Sequence, residues 1–193
     1  MQTSSRMPPE KLTPSAAVKV CFLVGFMGAG KSSVGRALER RLGWRFDDLD
    51  ERIETREARS VPRIFEESGE AGFRKIEHAT LRELIAEERM HPRIVAVGGG
   101  AFAREENAEL LKLGESITVF LDAPVEELFR RCEGQDIERP LRRNLNDFRN
   151  LYQARRAHYL AATLTVDTSG KGVEAVAEEV ARHLRLEQEN SSR

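Results

Sequence analysis

Gly25-Phe-Met-Gly-Ala-Gly-Lys-Ser32 fits the spacing G-x-x-x-x-G-K-[ST], and its setting constrains the chain more than any other feature. Before it, residues 18–25 form a short apolar, β-branched run ending in glycine, which predicts a strand buried on both faces. After it, residues 31–42 predict a helix closed by Gly43. A glycine-rich turn between a buried strand and a helix N-terminus can wrap a phosphate with backbone N–H groups, and the helix dipole adds positive potential. The candidate nucleotide-binding residues are then Gly28, Ala29, Gly30, Lys31, Ser32 and Ser33. Lys31 is expected to reach the terminal phosphates and the Ser32 hydroxyl to ligate Mg²⁺. Chance produces the pattern in a chain of this length on the order of 1 time in 100. Binding of a nucleoside triphosphate follows.

The remaining elements alternate. A second strand runs through Trp44-Arg-Phe46 into the acidic Asp47-Asp-Leu-Asp50, followed by helical stretches over 51–68, interrupted at Pro62, and over 70–89. A third strand, 93–97, stops at Gly98-Gly99-Gly100, and a helix over 104–113 follows. Residues 116–121 predict the fourth strand, and Pro124 suits the start of a helix ending at Arg131 or Cys132. Residues 133–147 carry charges, Gly134 and Pro140 without apolar periodicity, and read as a mobile excursion. A helix over 148–162, a short strand over 164–166 and an amphipathic helix over 173–186 complete the chain. Such alternation predicts a parallel sheet covered by helices on both faces. With 193 residues the expectation is one domain over 17–187, with loose tails at 1–16 and 188–193.

Composition excludes several classes. Lys plus Arg number 31 and Asp plus Glu 32, so there is no cationic surplus for a dedicated nucleic-acid binder. No apolar run is long enough to span a bilayer. Two cysteines, Cys21 and Cys132, are too few for a disulfide scaffold, and with no secretory signal they read as free thiols in the cytoplasm. Among nucleotide enzymes, a GTPase needs N-K-x-D, whereas Asn144-Leu-Asn-Asp147 lacks the lysine. Asp167-Thr-Ser-Gly170 matches D-x-x-G but lies at the last strand, out of order for a GTPase switch.

The acceptor chemistry is carried by weaker signals. Asp48 and Asp50 are two residues apart, so on an extended strand both point to one side and Asp47 to the other. Asp48 is a candidate for holding Mg²⁺ through water and Asp50 for accepting a hydrogen bond from an incoming hydroxyl; Asp50 as a helix cap is the structural alternative. Arg74, after Gly69-Glu-Ala-Gly-Phe73, and Arg155, with Tyr159 one turn later, suit an anionic acceptor such as a carboxylate. The Gly98–Gly100 triplet permits close backbone approach to a ligand, or serves only as a turn. Arg139-Pro-Leu141 offers a cation on a segment able to close over phosphates and exclude water.

Together these residues resemble shikimate kinase. The ordered motifs are Gly25 to Gly35, Asp48-Leu-Asp50, Ile64-Phe, Gly-Glu-x-x-Phe-Arg-x-x-Glu from Gly69 to Glu77, Gly98-Gly-Gly-Ala101, Arg139-Pro-Leu141 and Arg155-x-x-x-Tyr159, spanning about residues 18–186. The resemblance implies a P-loop NTPase α/β fold of the nucleoside-monophosphate-kinase type. Its five-stranded parallel sheet has order 2-3-1-4-5, with a substrate-binding region at about 49–90 and a lid at about 133–147. It implies transfer of the γ-phosphate of ATP, with Mg²⁺, to the 3-hydroxyl of shikimate in aromatic amino-acid biosynthesis. It further implies that Asp50, Arg74, Gly98, Gly99, Gly100 and Arg155 bind shikimate, Arg74 and Arg155 on its carboxylate, with Asp50 as base. Glu77 would orient Arg74, Lys31 and Arg139 would neutralise the transferring phosphate, Ser32 and Asp48 would hold Mg²⁺, and Arg131 would lie along the adenine. The family often has proline where Ala157 stands, and Arg156 competes with Arg155, as Arg130 does with Arg131. Ser33 replaces a frequent threonine. The expected partners are shikimate and ATP, without nucleic acid or membrane, for a cytoplasmic monomer. A kinase for another polyol acid such as gluconate, or a non-catalytic ligand sensor, are the competing readings.

Overall fold

The computed structural model describes residues 19–87, 92–112, 116–133 and 145–184. Five strands, β1 (Val20–Val24), β2 (Arg45–Asp48), β3 (Arg93–Ala96), β4 (Ser116–Asp122) and β5 (Leu164–Asp167), form one sheet in the order β2-β3-β1-β4-β5. Every pairing is parallel. The central strand β1 is buried along all its 5 residues, as a parallel strand covered on both faces must be. Among the described residues, six helices lie between the strands and a seventh follows the last: α1 (Lys31–Leu42), α2 (Leu49–Glu57), α3 (Val61–Ala86), α4 (Glu105–Leu111), α5 (Val125–Glu133), α6 (Leu145–Tyr159) and α7 (Val173–His183). The expected strand order therefore holds.

In this order the chain leaves β1 and returns on either side of it, through β3 and β4, which opens a crevice at the carboxyl ends of these strands. Everything that follows is built there. The crevice has an aromatic floor: Phe26, just beyond β1, meets Phe148 and Tyr152 of α6 edge-on, with ring centroids 4.9 and 5.5 Å apart.

Several boundaries differ from those the sequence suggests. The break between α2 and α3 falls at residues 58–60, where Ala58 has φ 51°, and not at Pro62. Pro62 instead occupies the first turn of α3, where its missing N–H leaves nothing unpaired, and Ser60 caps that turn by accepting from the Arg63 N–H at 3.4 Å. The end of one helix at Ser68 and start of another at Glu70 survives as a kink in α3 at Gly69, with φ 66° and ψ 178°. Helix α6 begins at Leu145, so residues 145–147 belong to a helix and not to the excursion, and it ends at Tyr159 rather than at 162. Glu133, the expected first residue of the excursion, is the last residue of α5, and residues 134–144, Arg139 included, and both expected tails lie outside the described residues.

At the sheet's edge, β2 is only 4 residues long. Asp47 is nearly buried among Arg45, Arg52 and Arg93, whose guanidinium nitrogens lie 3.2, 3.7 and 3.9 Å from its carboxylate.

Candidate active site

The loop between β1 and α1 is shaped by glycines. Gly28 and Gly30 have φ of 78° and 84°, left-handed conformations that side-chained residues rarely adopt. Gly30 is the N-cap of α1 and provides no side-chain cap, so the first-turn N–H groups of α1 are left to a ligand. Lys31 folds back over the loop, donating from Nζ to the carbonyls of Gly25 at 3.0 Å and Phe26 at 3.1 Å. Cys132 of α5, a buried thiol, backs the loop next to Gly28.

Opposite the loop, Ser32 Oγ donates to Asp48 Oδ2 at 2.6 Å. The other oxygen, Asp48 Oδ1, accepts the Asp50 N–H at 3.0 Å, so Asp48 is the N-cap of α2. This corrects the expectation that Asp48 and Asp50 share a strand face. The strand ends at Asp48, and Asp50 reaches the same cleft from the first helical turn. One hydroxyl and one carboxylate side by side suit Mg²⁺, which keeps several waters and is held through one or two protein oxygens together with substrate phosphates.

The acceptor end is built from α3, the glycine turn and α6. Arg74 donates from Nη1 to both Glu77 carboxylate oxygens, at 3.1 and 2.9 Å, and from Nη2 to Glu70 at 3.2 Å. Burial opposes the guanidinium charge, yet the two glutamates hold its pKa above the ordinary arginine value. Glu77 is fully buried, and burial pushes its pKa up; Arg74 pulls it back down and the nearby Asp50 charge adds to the rise. A Cβ on Gly98 would stand 3.0 Å from Asp50 Oδ1 and 3.2 Å from Glu77 Oε1, so this turn runs directly under both carboxylates. A Cβ on Gly100 would collide with the Arg74 guanidinium.

Arg155 faces the same turn. Its Nη1 would be 3.8 Å from a Cβ on Gly99, and its guanidinium carbon lies 5.9 Å from the Phe26 ring centroid. Tyr159 donates its hydroxyl to the Gly99 carbonyl. Burial raises the Tyr159 pKa to about 12, so the hydroxyl stays protonated. Arg156, which competed with Arg155 on sequence, points elsewhere: its Nη2 donates to Asp122 at 2.9 Å. Arg131 donates to the Thr168 hydroxyl and carbonyl at 2.9 and 2.7 Å and to Glu127 at 2.7 Å, which fixes it against the turn after β5, while Arg130 is exposed.

Lys31, Ser32, Ser33, Asp48, Asp50, Gly98 and Gly99 thus line one cleft, and Arg74, Gly100 and Arg155 line its neighbour. Sequence reasoning missed Arg104, which shares the second cleft and pairs with Glu106 at 2.5 Å. It also missed Asp122, although an acidic residue at the carboxyl end of a parallel strand was a signal of the kind that singled out Asp48.

Fold and site together define a P-loop kinase acting on a small anionic molecule. The profile of the family described as shikimate kinase matches residues 27–185. A shikimate kinase of Persephonella marina is 36% identical over 165 residues, covering 85% of this chain and 98% of its own. The structure of a shikimate kinase from Acinetobacter baumannii in complex with shikimate superposes with a TM-score of 0.78 at 35% identity, over 91% of this chain and 96% of that one. A gluconokinase from Sinorhizobium meliloti, with a TM-score of 0.59 and 19% identity over 90% and 95% of the two chains, shares the architecture alone. The chain belongs to the shikimate kinase family.

Proposed function

We propose that this site transfers the γ-phosphate of ATP to the 3-hydroxyl of shikimate, giving shikimate 3-phosphate and ADP, with the roles divided as follows. ATP bound with Mg²⁺ in the loop supplies the electrophilic phosphorus and its leaving group. Gly28 to Ser33 cradle its phosphates, and Lys31 exchanges the carbonyls of Gly25 and Phe26 for phosphate oxygens. Ser32 and Asp48 hold the metal. Arg131, anchored on Thr168, borders the adenine, and Arg139, on the strength of the family resemblance, meets the transferring phosphate.

At the acceptor end, Arg74 and Arg155 take the carboxylate of shikimate, and the Gly98–Gly100 backbone lies close to its ring. Asp50 orients the reacting hydroxyl and removes its proton. Glu77 keeps Arg74 in place, a buried anion opposite a cation that has to be presented in one direction. The observation that carries this reading is the position of Arg74 and Arg155 on one cleft, adjoining the cleft that Asp50 and the phosphate loop share. Neither a gluconate kinase nor a non-catalytic sensor has an observation of its own in its favour.

Coupled ADP release tests it directly. Mg²⁺-dependent ADP release is expected with shikimate and little with gluconate or quinate; release indifferent to shikimate would overturn the assignment. A second expectation concerns Gly100→Ala, whose methyl group displaces the Arg74 guanidinium. The KM for shikimate should rise by about tenfold, with the KM for ATP within twofold of the parent, as measured in the same assay. No helix among the described residues is long and apolar enough to cross a membrane. Leu160 and Val173 are the large apolar side chains exposed among the described residues, little surface for an obligate subunit interface, which supports a monomer; shikimate and ATP are its proposed partners and the cytoplasm its proposed location.

A further inference from the structure

Asp122 is the last residue of β4, the strand paired with β1 on the side away from β3. Its carboxylate is fully engaged. Oδ1 accepts the Tyr152 hydroxyl at 2.8 Å and the Ala123 N–H at 3.0 Å. Oδ2 accepts Arg156 Nη2 at 2.9 Å and Nε at 3.3 Å, and Arg156 Nε also donates to the Tyr152 oxygen at 3.0 Å. Burial, and then the hydrogen bond to Asp122, raises the Tyr152 pKa to about 12, so this hydroxyl is a donor throughout the neutral range. The Asp122 hydrogen bond raises the pKa of Arg156 as well. The three side chains close a triangle between a sheet strand and a helix.

Position on α6 gives the triangle a purpose. Tyr152 and Arg156 are four residues apart, as are Arg155 and Tyr159, and the two pairs point in mean directions about 60° apart on one half of the helix, Arg155 itself about 100° from Arg156. The second pair faces the glycine turn and Phe26. Phe148, Tyr152 and Tyr159 are buried and hold α6 against the core by apolar contact, which is non-directional and leaves rotation about the helix axis to directional contacts, one of them the Tyr159 hydroxyl on the Gly99 carbonyl in the last turn. Directional, charge-assisted hydrogen bonds to a strand end also specify that rotation. On a helix whose side chains reach about 5–6 Å from the axis, a rotation of about 10° moves a side-chain tip by about 1 Å. That is enough to spoil a bidentate contact to a carboxylate.

We propose that Asp122, Tyr152 and Arg156 are positioning residues that set the rotation of α6, and thereby the place where Arg155 meets the acceptor carboxylate. The inference rests on the reading of Arg155 as a carboxylate-binding residue. It also explains the adjacent arginines: the fork of Arg156 is committed to Asp122, and Arg155 carries the recognition.

The test is steady-state kinetics on the full chain with shikimate and ATP varied separately, for Asp122→Asn, Arg156→Gln, Arg155→Gln and the double variant Asp122→Asn/Arg155→Gln. Asp122→Asn and Arg156→Gln are each expected to raise the shikimate KM by about tenfold, with kcat and the ATP KM within about threefold of the parent. Arg155→Gln should raise it by about 100-fold, and adding Asp122→Asn should then change it by less than twofold, because the clamp acts only through Arg155. A merely structural role of Asp122 would lower kcat, move both KM values and add its full factor in the double variant; either that pattern or an unchanged shikimate KM overturns the clamp while leaving the proposed function standing. An unchanged KM in Arg155→Gln instead removes the role of Arg155 itself, and the clamp with it. If Asp122→Asn does not fold, Tyr152→Phe, which deletes one hydrogen bond and keeps the ring, carries the same test in both backgrounds with an expected rise of about threefold.

Discussion

Asp50→Asn is expected to lower kcat by on the order of 10²–10⁴-fold while ATP binding, measured by titration, stays within twofold of the parent. The amide keeps the size of the side chain and leaves the cap of α2 intact, since that cap uses the Asp50 backbone N–H and the Asp48 side chain. What it removes is the acceptor for the hydroxyl proton. The same substitution should raise the melting temperature. Burial raises the pKa of Glu77 and the Asp50 charge adds to that rise, so an ionised Asp50 disfavours an ionised Glu77 beside it. Neutralising Asp50 removes that like-charge contact at neutral pH, where Glu77 is needed as the anion facing Arg74. A gain on the order of 2 °C in thermal unfolding, together with lost turnover, is the expected signature. Near-normal turnover would eliminate Asp50 as the base and hydroxyl anchor.

Lys31→Met should cost kcat on the order of 10²–10³-fold, because a fixed positive charge aimed at the transferring phosphate acts in the transition state more than in the ground state. The methionine side chain fills similar space but cannot donate to Gly25 and Phe26, whose carbonyls then face the loop hollow without the partner they have in the ligand-free protein. The loop should therefore loosen as well as lose charge, and ATP affinity should fall by about tenfold. Single-turnover kinetics at saturating ATP separate the two effects. A kcat within threefold of the parent under saturation would show that Lys31 serves binding alone.

What the sequence revealed and what it concealed follow from the range of the interactions involved. Helix α1 is legible to the residue because local chemistry sets both its ends: Gly30 in a left-handed cap before Lys31, and Gly43, equally left-handed, closing on Glu39. Pro62 misled because proline is compatible with two states, a broken helix and a first helical turn, and only the serine before it distinguishes them. The true break at Ala58 has no side-chain signature, since alanine is a good helix former driven into a left-handed conformation by how α2 meets α3. At the site, motif order nominated the residues that the fold brings to one crevice, but not all of their geometry. Asp50 reaches the cleft from a helix and not from a strand. The choice between Arg155 and Arg156 depended on Asp122, 34 residues before Arg156 and on a different element, so no window of local sequence contained it.

The tetrapeptide Asp47-Asp48-Leu49-Asp50 distributes three carboxylates over three kinds of physical work. Asp47, ringed by Arg45, Arg52 and Arg93, places charge on the short edge strand β2, where an unpaired backbone is otherwise a template for another chain. Asp48 ends the strand and starts the helix, and Asp50 is the carboxylate proposed to meet the acceptor. Changes at these neighbouring positions belong to different assays: colloidal behaviour for the first, helix nucleation and metal dependence for the second, and the chemical step for the third. A mutational scan scored by growth alone would merge them into one sensitive patch, although three separate physical roles meet there within a span of four residues.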